Sequence, residues 1–543
     1  GTSRIIATVA DQQASVAATV TDFDVARPIH FENDVLPILS RFGCNAGGCH
    51  GKAEGQNGFK LSVYAFDPRA DFAALTRESR GRRVFLAAPE MSLVLRKAAG
   101  DVPHGGGIRI RRDSPEYQTL RDWIASGAPL GDDDAPRVAA IRVEPSERPL
   151  RVGGLQRLRV IARFGDGRET DVTARSRFQS NNEGLASVDE HGLIQVGETP
   201  GQAAVMASYM GKVGVFQALI PRPGKIDAYP KLPEKNFIDR LANQKLRKLN
   251  IIPSPPVDDA GYLRRVYVDL LGTLPTSDEA REFLADDHPD RRGRLVEQLL
   301  KRPEYADYWA LKWADLLRVD RLVLGHKGAY AYYRWIHGSF AANKPLDQFA
   351  RELLLAEGPL REQPAGRFYQ VLKRPGDKAN AVAQVFLGVR IACAECHHHP
   401  FDRWSQTDYQ GMRAFFAPVK QKKTRLGESL LVEGAFTAKH PRNGKTILAH
   451  ALGTPSPQTT PPGDRRLALA DWMTDKDNPW FARNLANRAW AHFLGRGLVE
   501  PVDDVRETNP PSNPELLDAL ARHLTDRGYD PRSLIRVILA SET

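Results

Sequence analysis

The chain carries four cysteines, and they fall in two close pairs that each run straight into a histidine: Cys44-Asn-Ala-Gly-Gly-Cys49-His50 and Cys393-Ala-Glu-Cys396-His397. The second is a C-x-x-C-H pattern. At that spacing two thiols add across the vinyl groups of one porphyrin, and the next residue turns its imidazole to the iron. The first pair has a longer loop, in which Gly47 and Gly48 let the chain fold without steric cost. Other chemistries stay open at this level. Cys44 and Cys49 suit a disulfide or a metal clip, and Cys393, Cys396 and the histidines His397 to His399 suit zinc. For the second pair a thioredoxin-like dithiol is disfavoured, because no βαβ pattern surrounds it. Since both pairs end in histidine and no cysteine is left over, two covalently attached haem c groups are the economical reading. His50 and His397 are then the proximal ligands. Thioether attachment takes place outside the cytoplasm, so the expected location is the periplasm or cell surface after removal of a signal peptide; none is visible at Gly1–Ala10.

Length and composition bound the rest. The 543 residues are 42% hydrophobic and 26% charged, the balance of a folded protein of three or four domains. The longest apolar runs, such as Val385–Val389, fall far short of the ~18 to 20 residues that cross a bilayer. The net charge of +10 comes from 76 basic and 66 acidic residues that are well mixed. That surplus suits acidic partners or anionic membrane surfaces, and no nucleic-acid motif is present.

Periodicity divides the chain into five parts. Residues 28–132 read as a small helical haem domain, with helices at Phe31–Ser40 and Ser114–Ser126 and a glycine-rich segment, Val102-Pro-His104-Gly-Gly-Gly107, between them. Residues 138–222 alternate in short runs, Leu155–Phe164 and Ala203–Tyr209 among them, separated by turns: an antiparallel β-sandwich. His191 falls in one of those turns, where solvation accounts for it. Pro221–Pro233 is a charged, proline-rich linker. Residues 234–418 are helical and carry the second motif; Thr276 and Glu279 form a capping box, and Tyr305–Leu317 is an aromatic helix suited to core packing or to a haem wall. Residues 419–462 read as a weakly structured connector with a basic cluster, Lys420 to Arg425, and a Pro/Thr-rich end, Thr454–Gly463. Residues 463–543 form a C-terminal helical domain that looks cut short within a helix at Pro531–Ser541. The expected fold is multidomain and mainly α, with one inserted all-β immunoglobulin-like sandwich.

These segments carry longer motifs. Asp166-Gly-Arg-x-x-Asp171-Val-Thr173 and Ser187-Val-Asp189-x-x-Gly192 lie in the sandwich. Asp269-Leu-Leu-Gly272-x-Leu-Pro275-Thr276, Phe386-Leu-Gly-Val-Arg390 and Cys393-x-x-Cys396-His397-x-His399-Pro-Phe401-Asp-x-Trp404 lie in the helical part. Asn478-Pro-x-Phe481-Ala-Arg483 and Asn487-Arg-x-Trp490-x-His492-x-x-Gly495-Arg-Gly-Leu498 lie near the end. With them the chain resembles the planctomycete-type cytochrome C multidomain proteins over nearly its whole length. In that family an N-terminal cytochrome c module, a group-two bacterial Ig-like domain, a second cytochrome-associated helical domain and a C-terminal helical domain follow one another. The resemblance implies an exported haem protein and leaves the reaction unsettled. Small cytochrome modules often carry Met-Pro in the distal loop; here Val102-Pro103 stands in its place.

The far side of each iron needs its own ligand. For the first haem His104 is favoured over Met91, because its glycine-rich segment can fold back over the ring. For the second, His492 is favoured, with Met412, His326 and His337 as alternatives. His399 suits a hydrogen bond to a propionate or carboxylate, and Asp402 and Arg403 are candidate propionate contacts. Two six-coordinate haems imply electron transfer, with redox partner proteins and a possible place in a membrane-associated complex. An open haem acting on a small oxidant or a carbohydrate is the alternative, with acid–base groups from Cys396–Asp402; surface adhesion through the sandwich is a third, resting on fold analogy.

Overall fold

The computed structural model describes residues 2–9, 12–19, 28–52, 54–226, 228–425, 427–459 and 462–543. They fall into two compact units, Gly1–Arg137 and Val138–Thr543. Both are described separately below. Small parts of the expected linker and of the Pro/Thr-rich stretch, residues 227, 460 and 461, lie outside the described residues.

In the first unit an antiparallel hairpin, Thr2–Val9 with Gln12–Thr19, comes before the helices. Ile5, Ile6 and Val16 are exposed on it, so no buried stripe marks it in the sequence. The chain then enters a wide turn, Phe31–Val35, that runs into the helix Leu36–Arg41. The closing helix spans Pro115–Ala125 and is capped by Ser114, whose Oγ accepts from Tyr117 N. Trp123 on this helix is buried, lies 5.5 Å from the Phe31 ring and donates its Nε1–H to Pro129 O at 2.8 Å. A buried indole with its N–H satisfied adds apolar area without an unpaired polar group. This contact fixes the segment that leads into Cys44.

The second unit begins with strands. Val138–Glu144 pairs with Arg159–Phe164, which pairs with Glu169–Asp171. Gly201–Tyr209 lies between Lys212–Ile220 and Arg177–Ser180, and Leu193–Val196 lies between Leu155–Arg157 and Ala186–Val188. The three small sheets share one apolar core that includes Val160, Phe164, Ile194, Val205, Phe216 and Ile220. The run Leu155–Phe164 serves two sheets, with Leu158 between its strands. Alternation alone shows that such a run is extended and leaves its sheet partner unspecified.

Helices follow from Phe237. Asn236 and Asp239 form a capping box, as do Thr276 and Glu279, which satisfies backbone amides that a helix start leaves free. The aromatic helix runs Pro303–Leu316 and buries Tyr305, Trp309 and Trp313. One apolar core extends from Ile238 through Phe386 and Met412 to Ile538. The helical part and the C-terminal helices, expected as separate domains, are packed together in it. Periodicity marks the apolar face of each helix but not which other helix covers it.

The expected connector is more ordered than its composition suggests. Val419–Thr424 pairs with Gly427–Val432, and Thr437–Lys439 with Thr446–Leu448. Lys420, Lys422 and Lys423 are exposed along an edge strand, where charge discourages pairing with another chain. The last helix is Pro531–Leu539, with Ala540 as its cap. Among the described residues, no helix is long and apolar enough to cross a membrane.

Candidate functional site

In the first unit the Cys44–His50 loop closes on itself through backbone bonds, His50 N to Cys44 O at 3.0 Å and Cys49 N to Ala46 O at 2.9 Å. Asn45 is fully buried beneath it and donates to Ser40 Oγ. Gly51 is required here, because a Cβ would stand 2.1 Å from Asn45 O. Cys44 and Cys49 are both free thiols, half-buried. Burial pushes the Cys44 thiol up to about 11, with Arg109 acting against it. Without a bound group, burial thus favours the neutral thiol.

His50 and His104 come together across this loop. Their rings lie 6.2 Å apart between centres and within 8° of parallel. Each donates its Nδ1–H to a backbone carbonyl, His50 to Phe59 O and His104 to Gly107 O, both at 3.0 Å. That fixes the tautomer and leaves Nε2 as the lone-pair nitrogen of each ring. Burial holds His50 below its ordinary pKa, and the neighbouring His104 adds to this. A Cβ on Gly47, Gly48, Gly105 or Gly107 would meet nothing within 4 Å, so open space borders both the attachment loop and the distal loop. Cys44 and Cys49, with the two Nδ1-anchored imidazoles beside open space, are the residues that would hold a haem at this site. Met91 is 55% exposed in a short turn, away from any such pairing.

In the second unit Ala392–Glu395 forms a single tight turn, with Cys393 and Cys396 exposed as free thiols. His397 donates Nδ1–H to His398 O at 2.6 Å, again leaving Nε2 as the lone-pair nitrogen. His398 Nδ1 accepts from Gln406 N and so caps the next helix. His399 Nδ1 accepts from Phe401 N, and its own amide donates to Trp404 O. Burial, with Arg506 and His397, pulls His399 down to about 4. Asp402 is buried and pushed up to about 6. Arg403 is exposed and lies over the rings of Trp404 and Trp480, 5.0 and 5.5 Å away. Among the described residues, no group of three or more His, Cys, Asp or Glu is gathered as a metal site. The zinc alternative for Cys393, Cys396 and the histidines thus has no ready ligand set.

The other distal candidates are placed as follows. His492 donates Nε2–H to Asp269 O at 2.7 Å and meets the Trp309 ring edge-on at 5.0 Å. His337 pairs with Asp307 at 3.0 Å, His326 is exposed, and Met412 is fully buried in the core. Several positioning residues escape a reading of the sequence: Phe59, Arg83, Asn45 and Gly51 at the first site, and Asn484 at the second. Asn484 Nδ2 donates to Val385 O at 2.8 Å, just before the second motif. Gly51, directly after Cys49-His50, was the one signal available.

Two family models match the second unit. PSCyt2, described as a protein of unknown function (DUF1549), matches residues 237–421 and includes the Cys393–His397 segment. PSD1, also described as a protein of unknown function (DUF1553), matches residues 465–543. Both families are typical of planctomycete-type proteins. No curated protein matches the chain. The two matched segments are the ones that share the helical core, and Asn484 links one to the other.

Proposed function

We propose that the chain is an exported di-haem c-type cytochrome that transfers electrons as a carrier or redox subunit, working with redox partner proteins outside the cytoplasm. In this reading residues 28–132 are a cytochrome c-like module, and residues 138–222 an immunoglobulin-like sandwich that spaces or docks it. The second haem belongs to the helical part. Cys44 and Cys49 hold the first haem and His50 and His104 its iron; Cys393, Cys396 and His397 hold the second. The bound haems supply reversible one-electron chemistry at iron. The chain's own residues orient the imidazoles through their Nδ1 bonds, and burial holds His50 below its ordinary pKa.

One observation carries the reading: the parallel His50 and His104 rings, each with Nδ1 tied to a carbonyl. A closed shell at the first haem favours electron transfer there over chemistry on a bound substrate. Intact mass of the protein from its native host, together with electron paramagnetic resonance, tests it. The expected result is a chain heavier by two haems and a low-spin bis-imidazole ferric signal. A mass equal to the bare polypeptide overturns the reading. Ready binding of carbon monoxide by the reduced protein with a high-spin ferric signal moves the function to an open-haem oxidoreductase.

A further inference from the structure

We propose that the hairpin of Thr2–Val9 and Gln12–Thr19 closes a second all-β body, and that its apolar face and open edges take strands encoded ahead of Gly1 in the natural chain. The chain contains the same hairpin twice. Thr2 faces Thr19 as Gln202 faces Leu219, and Val9 faces Gln12 as Tyr209 faces Lys212, so the two share one register. Apolar residues fall at matching places: Ile5 with Val205, Ala7 with Ala207, Val16 with Phe216 and Ala18 with Ala218.

The two hairpins differ in what covers them. Val205, Ala207, Phe216 and Ala218 are fully buried in a core shared with Val160 and Ile194. Their edges are taken too: Arg177–Ser180 pairs with Gly201–Tyr209, and Glu147–Pro149 with Lys212–Ile220. Among the described residues, the sheet of the first hairpin has two strands; Ile5 is 59% exposed and Val16 61%. Register nevertheless gives it an inner and an outer face. Ser3, Ile5 and Ala7 stand opposite Ala18, Val16 and Ala14. The other face carries Thr2, Arg4, Thr8, Gln13, Ser15 and Thr19, with Ile6 its one large apolar residue. One apolar and one polar face is the pattern of an antiparallel pair laid over a core. A two-stranded hairpin alone is marginally stable at best in water, so this pattern serves a larger sheet. The repeat names the occupant. Gly201–Tyr209 and Lys212–Ile220 close a body whose other strands precede them in the chain, and the strands that complete the first hairpin precede it likewise. A second copy of this chain has no such strands to spare, because its own are already paired. In chain order residues 28–132 then lie between two all-β bodies.

Hydrogen exchange tests this on the 543-residue chain and on the natural chain extended ahead of Gly1 by the length of residues 138–200. Amides of residues 2–19 should exchange quickly in the first and at least about a hundredfold more slowly in the second. Ile5→Asp in the extended chain should abolish that slowing. Gln12→Lys, which matches the exposed Lys212, should keep it. Exchange that is alike in the two chains, or slowing that sets in only as protein concentration rises, overturns the proposal. So does an upstream coding sequence without short alternating strands.

Discussion

The Arg83 guanidinium lies over the Phe59 ring at 4.5 Å, and Phe59 in turn holds His50 through its carbonyl and its ring. Arg83 is 3% exposed and donates to Gly58 O at 2.5 Å, to Ser79 Oγ at 3.1 Å and to Ala74 O. A buried cation thus fixes the loop that orients the imidazole. Arg83→Met keeps the stem and leaves these carbonyls unpaired, at a cost of about 2–4 kcal/mol. Hydrogen exchange should quicken across residues 50–61. Unchanged protection there would separate Arg83 from the orientation of His50.

Gly51 gives a sharper test of the same loop. A Cβ at this position overlaps Asn45 O and also comes within 2.9 Å of Ala46 O, both backbone atoms that cannot swing aside. Gly51→Ala should destabilise the first unit by about 2 kcal/mol or more and lower haem incorporation at Cys44 and Cys49. Gly47→Ala, which meets open space, is the control and should be incorporated normally. Equal yields from both variants would count against the packing of the loop.

If His104 closes the first iron, its replacement changes the potential in a known direction. Methionine ligation raises the potential relative to histidine. His104→Met should move the first haem upward by on the order of 0.1 V and leave the second where it was. His104→Ala should open the iron to carbon monoxide. Potentiometric titration with optical detection reads both, and a His104→Ala protein that still resists carbon monoxide would assign the distal position to another residue.

How much of this was readable beforehand differs between the two sites. The Cys44–His50 and Cys393–His397 motifs, and the placing of His104 in a glycine-rich loop, follow from local spacing. Phe59 and Arg83 do not, because their roles depend on a carbonyl and a ring brought together by folding. The aromatic residues of Pro303–Leu316 were legible as a buried face, but not their meeting with His492, which lies far along the chain. The strand Val419–Thr424 was hidden by its lysines, since an edge strand exposed along nearly its whole length has no alternation to read.

The link between the two matched segments is also open to test. Gly388 takes a positive φ of 69°, and a Cβ on it would approach Asn484 Oδ1 to 2.6 Å. Asn484 Nδ2 holds Val385 O. Asn484→Ala frees this carbonyl in the core and should cost about 1–3 kcal/mol. Exchange should quicken at residues 383–391 ahead of the second motif, and a change confined to the Phe481–Leu494 helix would mean that the second motif is positioned without it.

Lys378 supplies a pH dependence that can be read with its sign. It is 3% exposed, donates to Val419 O at 3.4 Å and lies 5.6 Å from the Tyr369 ring. Burial pulls it from 10.5 down to about 8. At pH 7 the lysine is charged in both the folded and the unfolded chain, and the folded chain bears the desolvation cost. As pH rises from about 8 to 10.5 the folded chain gives up its proton first. The unfolded chain then holds more protons, and stability rises with pH. Lys378→Met removes the cost but also the ring contact and the bond to Val419, so it should stabilise the protein by about 1–2 kcal/mol at pH 7. That advantage should shrink steadily above pH 8 in urea melts of the two proteins run side by side. A variant that is less stable at pH 7, by a margin that does not change up to pH 10.5, would mean that the ammonium is better solvated than its burial implies.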